Sequence, residues 1–308
     1  MEIREFVDLQ NEVFRLHAVG AYREALAVID REAGRFQERA GDLYFWRACL
    51  TCLADGADAG LRWLQAAADE GHWYHERMLN DPDLAALRGD PRLEPLVKLF
   101  RERREAAQAL ARPVLRTHET EGAPRGLLLA LHGAGSGFEQ DLESPYWTPA
   151  TETGWRVALA QSSQVMCPGR YFWGDRQRAL EEVRAHLDRL GPHDPTVLAG
   201  FSMGAGVAMY GVLSGALPPT RFLAVAPAFR PDDLLPLLAA ARRDIKGCIV
   251  IGDRDWQYAN ARALAAAMNE AGLPCELEVH PGLGHEYPPG FAARLPERLT
   301  ALTAARPA

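Results

Sequence analysis

The chain has 308 residues, a formal net charge of −7, 48% hydrophobic and 24% charged residues. This composition excludes a disordered chain, a collagen-like fibre and a coiled coil, and its acidic balance argues against a nucleic-acid partner or a polybasic membrane anchor. No apolar run reaches the roughly 18 residues of a spanning helix, so no membrane span is expected.

The opening Met1–Glu2–Ile3–Arg4–Glu5 is too acidic for a secretory signal and lacks its apolar core. The five cysteines are an odd, scattered set, read as reduced thiols. Together these predict a cytoplasmic, bacterial protein. Cys49 and Cys52 form a C-x-x-C with no second pair to complete a zinc site. They read as small apolar residues on a helix.

Punctuation divides the chain near residue 111. Residues 1–110 hold 7 of the 27 glycines, 3 of the 21 prolines and no serine. Since glycine and proline mark turns, domain 1–111 is expected to be long helices and domain 112–308 many short elements. Phe6, Leu9, Val13 and Leu16 recur at helical spacing, as do Tyr22, Leu26 and Ile29 after Gly20. Leu43–Leu53 and Leu61–Ala68 continue the pattern, predicting antiparallel helical hairpins. Gly20-Ala21-Tyr22-Arg23-Glu24-Ala25-Leu26 resembles the turn and second helix of a tetratricopeptide repeat, and a 35-residue shift lands on Gly60-Leu61. Such a TPR-like domain implies a surface for a protein partner or for homo-oligomerisation, or else a cap over a site in the second domain. His72 and His75 lack a third metal ligand, so no metal is expected. Asp81-Pro82 and Asp90-Pro91 are helix starts, because Asp caps and Pro suits the first turn. Helix Leu96–Ala111 leads into the second domain.

Beyond it, strands are expected at Gly126–Leu131, Trp155–Gln161, Thr196–Phe201, Phe222–Ala226, Cys248–Ile251 and Cys275–His280. Helices are expected at Arg176–Leu190, Met203–Leu213, Leu234–Ala241, Tyr258–Ala271 and Phe291–Leu302. Asp175 is placed to cap the first of these. This alternation predicts an α/β fold with a mostly parallel sheet covered on both faces, its chemistry lying beyond the C-terminal strand ends.

Gly200-Phe201-Ser202-Met203-Gly204 is a G-x-S-x-G turn between a strand and a helix, which leaves a serine hydroxyl standing exposed. A serine needs a base to become a nucleophile, and the base needs an orienting acid. Both follow in chain order: Asp255, after strand Cys248–Ile251, and His285, after strand Cys275–His280. Asp253 is the alternative acid; Asp255 is preferred because it lies further past the strand end. The glycine-rich His132-Gly133-Ala134-Gly135-Ser136-Gly137 leaves backbone N–H groups accessible. The amides of Ala134 and Met203 are the expected oxyanion donors. No lysine follows in P-loop spacing, so a phosphate loop is set aside.

His132–Gly135, Gly200–Gly204, Asp255 and His285 together resemble the α/β-hydrolase superfamily. Residues 113–308 are similar to its phospholipase/carboxylesterase and dienelactone-hydrolase-like esterases. That carboxylesterase group often has glutamine where this chain has Met203, which bears on the pocket rather than the backbone donor. The resemblance implies a Ser-His-Asp serine hydrolase, without cofactor or metal, acting on small-molecule carboxylic esters of small to medium acyl chain. Trp147, Tyr171, Phe172 and Trp173 are expected to wall its pocket, and Arg170 is either a carboxylate contact or a surface arginine. A thioesterase or peptidase would use the same residues. The rival reading is a helical binding module carrying an inactive hydrolase scaffold.

Overall fold

A computed structural model describes residues 3–138 and 141–304, the side chain of Val7 excepted. Met1 and Glu2 of the opening segment lie outside it. The chain forms two compact units, Met1–Leu110 with Val165–Pro168, and Ala111–Gln164 with Gly169–Ala308.

The first unit is helical: Phe6–Ala18, Tyr22–Glu32, Ala40–Asp55, Ala57–Asp69 and Leu93–Leu110 are its longer helices. Phe6, Leu9, Val13, Ala25, Ile29, Leu43 and Leu50 bury one shared core, while Leu16, Tyr22 and Leu26 of the expected faces stay at its border. Helices Ala40–Asp55 and Ala57–Asp69 approach closely at Gly60, where an added Cβ would lie 2.9 Å from Cys52 Cβ and 3.0 Å from the Ala48 carbonyl. Asp81 caps a 3₁₀ helix, Pro82–Leu87, through the Asp83 N–H. The last helix begins at Leu93 rather than Leu96, since Pro95 is tolerated in a first turn. His75 instead caps Glu76–Leu79, its Nδ1 accepting the Arg77 N–H at 3.0 Å. The segment Val165–Pro168 is held within this unit. Val165 N–H donates to Gln108 Oε1 at 3.1 Å, and His75 N–H to the Met166 carbonyl at 2.9 Å.

The strands are Val114–His118 (β1), Gly126–Leu131 (β2), Trp155–Gln161 (β3), Val165–Cys167 (β4), Arg170–Tyr171 (β5), Thr196–Phe201 (β6), Arg221–Val225 (β7), Lys246–Gly252 (β8) and Cys275–His280 (β9). A seven-stranded sheet runs in the order β1-β3-β2-β6-β7-β8-β9. All its pairs are parallel except β1 with β3, in register Val114↔Gln161. β1 is absent from the sequence expectations because it is a half-exposed edge strand, too polar to resemble the buried runs.

Side-chain alternation along the central strands feeds two cores. Leu127, Leu129, Leu131, Leu198, Phe222, Ala224 and Ile249 enter one, with helices Arg176–Leu190, Ser202–Leu213 and Tyr258–Glu270. Leu128, Ala130, Val197, Ala199, Leu223, Val225 and Val250 enter the other, with Phe291–Thr303. Both faces are therefore covered, the arrangement expected of a parallel sheet. Asp175 caps Arg176–Leu190 by accepting the Arg178 N–H at 3.1 Å. The helix expected at Leu234–Ala241 is corrected. A short α-turn, Pro231–Leu234, passes into a 3₁₀ helix, Leu235–Ala239, because Pro236 has no N–H to extend α-helical bonding.

The chain passes from β2 to β3 on one side and resumes at β6 on the other, so β2 and β6 flank the point where strand order reverses. Among the described residues no helix is long and apolar enough to cross a membrane.

Phe222 is fully buried, and a Cβ on its neighbour Gly247 would lie 2.3 Å from its ring. Phe222→Ala is expected to cost about 3–5 kcal/mol, read as a lower urea midpoint at unchanged slope. A loss below about 1 kcal/mol would contradict that packing.

Candidate active site

Ser202 follows β6 as the first residue of helix Ser202–Leu213, with φ +51°. That left-handed conformation is unusual for a residue with a Cβ. Its neighbours explain how it is held. A Cβ at Gly204 would lie 2.3 Å from the Leu131 carbonyl and 2.5 Å from that of His132. One at Gly200 would lie 2.7 Å from the Ala205 nitrogen and 2.8 Å from the Leu131 carbonyl. Both glycines are thus required by the closeness of the turn to the end of β2.

His285 Nε2 stands 2.9 Å from Ser202 Oγ, and Nδ1 stands 2.8 Å from Asp255 Oδ2. The Asp255 side chain is fully buried and has no proton to give as a carboxylate, so Nδ1–H donates to it. Nε2 is then free to accept the serine hydroxyl. The other Asp255 oxygen accepts the Gln257 N–H at 2.8 Å, fixing the carboxylate plane. Asp253 does different work: its Oδ1 accepts the Gly282 N–H at 2.7 Å and ties the loops after β8 and β9 together. Phe201 and Trp256 both contact the imidazole, with ring centroids at 5.3 and 5.7 Å.

The turn after β2 presents its amides in different directions. Gly133 N–H donates to Glu143 Oε1 at 2.8 Å and Gly135 N–H to the Tyr171 carbonyl at 2.8 Å. The intervening Ala134 is exposed, and its N–H meets no acceptor among the described residues. Met203 N–H, in the first helical turn, has no intrahelical acceptor. His132 lies beneath the turn with its Nε2 accepting the Ser162 N–H at 3.1 Å, and burial lowers its pKa to about 4.

Of the expected aromatic wall, Tyr171 is half-buried and paired through its backbone with Ser136. The other three are buried. Trp147, Phe172 and Trp173 are 1%, 7% and 2% exposed. Trp147 packs on Phe291 and gives its N–H to Tyr287 Oη at 3.1 Å. Trp173 gives its N–H to the His132 carbonyl at 2.8 Å. Phe172 folds over Gly174. Trp147 and Trp173 join the cores on the two faces of the sheet, and Trp147 also lines a cavity with His132, Ser136, Glu143 and Leu159. Arg170 holds the Gly135 carbonyl through Nη1 at 2.9 Å.

Sequence reasoning passed over Glu143 and Tyr287. Tyr287 stacks on Phe201 at 4.6 Å and donates to Glu143 Oε2 at 3.0 Å. Glu143 is half-buried overall, but burial of its carboxyl raises the pKa to about 7 against the hydrogen bonds that would lower it. Nothing local marks either residue; only the fold brings them together.

For metals, Cys49, Asp81 and Asp83 bring ligand atoms within 4.8 Å of one another. Burial holds the Cys49 thiol protonated, Asp81 accepts the Asp83 N–H, and Asp83 meets His17 at 2.8 Å, so local partners account for these groups.

Residues 5–108 match the family described as A/B hydrolase-like, N-terminal domain. A search of curated proteins finds no match. An uncharacterised protein from Bacillus cereus ATCC 10987 is similar over 97% of this chain and 99% of its own, at 26% identity and a TM-score of 0.55. Esterase PE8 matches 62% of this chain and 99% of its own, at 21% identity and a TM-score of 0.52. Est1E from Butyrivibrio proteoclasticus, with ferulic acid bound, matches 63% and 97%, at 14% identity and a TM-score of 0.50. The fold is that of the α/β hydrolases, preceded by a helical region.

Two outcomes follow from this geometry. Gly204→Ala is expected to destabilise the protein by about 1–3 kcal/mol, because backbone on both sides must yield; a thermal melt reads it, and an unchanged Tm would contradict the contact. The second concerns Glu143. Its folded carboxyl keeps its proton to about pH 7, against an ordinary value of 4.5. Its contribution to stability is therefore fully present below pH 4.5 and is lost as pH rises through 7. Glu143→Gln does not titrate, so its stability relative to wild type should climb by up to about 3 kcal/mol between pH 4.5 and 8. Denaturant unfolding at a series of pH values checks this, and a level difference would show that the carboxyl is not shielded.

Proposed function

We propose that the protein is a metal-independent serine hydrolase of carboxylic esters. The observation that carries this reading is the continuous relay from Ser202 Oγ to His285 to Asp255, at 2.9 and 2.8 Å, with the serine held on a left-handed turn. Ser202 Oγ attacks the ester carbonyl while His285 Nε2 takes its proton. Asp255 keeps the imidazole in the correct tautomer and stabilises the imidazolium. The amides of Ala134 and Met203 receive the developing oxyanion. His285 then protonates the leaving alcohol, and the acyl group remains on Ser202. Water, deprotonated by His285, attacks the acyl carbon, and collapse of the second tetrahedral intermediate releases the acid and restores the hydroxyl.

The proposed acyl chains are small to medium, with Trp147, Tyr171, Phe172 and Trp173 the proposed pocket residues. The segment between β7 and β8 holds only the short turns Pro231–Leu234 and Leu235–Ala239, which supports a site without a large inserted lid. We assign residues 112–308 as the catalytic domain and residues 1–111 as a separate TPR-like helical domain offering a surface to a protein partner or a second copy. The five free cysteines, all buried, support a cytoplasmic setting.

A fluorophosphonate probe and a panel of p-nitrophenyl esters, acyl-thioesters and peptide amides test the reading. Wild type is expected to be labelled and to cleave short esters, and Ser202→Ala to lose both, with a rate loss of about 10⁴-fold or more. Wild type that resists labelling, or Ser202→Ala that keeps the activity, overturns the serine mechanism. Preference for thioesters or amides replaces only the substrate class.

A further inference from the structure

We propose that Glu143 is a positioning residue that, as a carboxylate, holds the Gly133–Ser136 turn and the His285-bearing loop in one arrangement around Ser202. This rests on the serine-hydrolase reading above and adds a residue to it. Glu143 Oε1 accepts the Gly133 N–H at 2.8 Å, which turns the next amide, that of Ala134, outward. Oε2 accepts the Tyr287 hydroxyl at 3.0 Å, and the Ser136 side chain also bonds to the carboxyl. Tyr287 follows His285 closely in the chain, stacks on Phe201 beside Ser202, and receives the Trp147 N–H at 3.1 Å. One carboxyl thus touches the turn offered as oxyanion donor and the loop that carries the base.

These bonds favour the ionised form, against the effect of burial. Gly133 N–H can only donate, and Tyr287 already accepts from Trp147 while donating to Glu143. A protonated carboxyl keeps one acceptor site fewer for the Gly133 N–H, the Tyr287 hydroxyl and the Ser136 side chain, and its bonds to them lose the assistance of charge. The surrounding titratable groups do not supply a compensating charge. From the turn, His132 is kept neutral by burial. From the other two elements, Tyr287 and Tyr146 are held protonated by burial, and Glu286 and Glu143 act on Tyr146 with the same sign. The site therefore retains a carboxyl that burial disfavours as an anion, although the bonds it makes call for that anion.

The test compares the pH dependence of kcat for full-length wild type, Glu143→Gln and Tyr287→Phe with p-nitrophenyl acetate from pH 5.5 to 8.5. All three keep Ser202, Asp255 and His285, so each variant alters only the network around the carboxyl. The side-chain amide of the Glu143→Gln variant mimics the protonated carboxyl. The ratio is expected to rise from near 1 at pH 5.5 to about 10 at pH 8.5, the loss of one hydrogen bond to a charged group, with KM little changed. Tyr287→Phe should show the same rise, and the double variant should be no slower than the slower single one. A ratio that stays level with pH overturns the proposal, as does multiplication of the two effects. If Glu143→Gln fails to fold, the Tyr287→Phe profile decides alone. Amide exchange at Gly133 reads the turn without any substrate: Glu143→Ala should speed it about tenfold, and unchanged exchange overturns the proposal. Failure of wild type to react with fluorophosphonate overturns the hydrolase reading instead, so the two failures are distinguishable.

Discussion

The arrangement around Ser202 depends on backbone packing against backbone where β2 and β6 end. Gly204 sits against two successive carbonyls of the β2 end, and Gly200 against one of them. Side chains are excluded there, so the turn leaves β6 in a conformation that a serine would not choose alone. The far side is clamped as well. Ala228 N–H donates to the Ser202 carbonyl at 2.9 Å, and a Cβ on Gly206 would lie 2.2 Å from the Ala228 carbonyl. Ala226, with φ +43°, bends the end of β7 to reach that position. Helix Ser202–Leu213 is therefore wedged between two strand ends, which fixes where the hydroxyl points.

The same economy of space governs the acid and the base. Gly252 ends β8, and a Cβ there would lie 2.0 Å from the Leu283 carbonyl. That contact lets the loop after β9 lie directly on the end of β8, with Arg254 N–H donating to the Leu283 carbonyl and the Asp253 carboxylate accepting from Gly282 N–H. His285 reaches Asp255 because Asp253 has already joined the two loops. Two aspartates close in sequence thus divide the work: one shapes the loop, and the other, fully buried, faces the imidazole.

How much of this was legible in the sequence follows from how local each signal is. The buried parallel strands read clearly because both faces are apolar, giving unbroken runs such as Gly126–Leu131. β1 did not, since an edge strand needs only one side satisfied and can be polar. The G-x-S-x-G turn is legible because its glycines answer a steric demand made within a few residues. Asp255 and His285 are legible through their places after successive strands. The aromatic residues are less legible for the opposite reason. Trp147 ends the short helix Ser144–Trp147, and Phe172 and Trp173 lie in a loop; in neither place can a sequence pattern tell a ligand wall from the underside of a packed segment. Trp147 and Trp173 give their indole N–H groups to Tyr287 and His132, which marks them as internal supports.

Glu143 shows the limit most clearly. Its significance lies in the direction of its hydrogen bonds, and direction is a property of the fold. A carboxyl surrounded by donors but withdrawn from water is a compromise between hydration and hydrogen bonding. Desolvation favours the neutral acid, whereas Gly133, Ser136 and Tyr287 favour the anion. Amide replacement removes the first penalty and weakens the second set of bonds, so stability and alignment should move in opposite directions. The presence of glutamate, bonded at once to the turn after β2 and to the loop after β9, is accounted for if alignment of the two is what the carboxylate supplies.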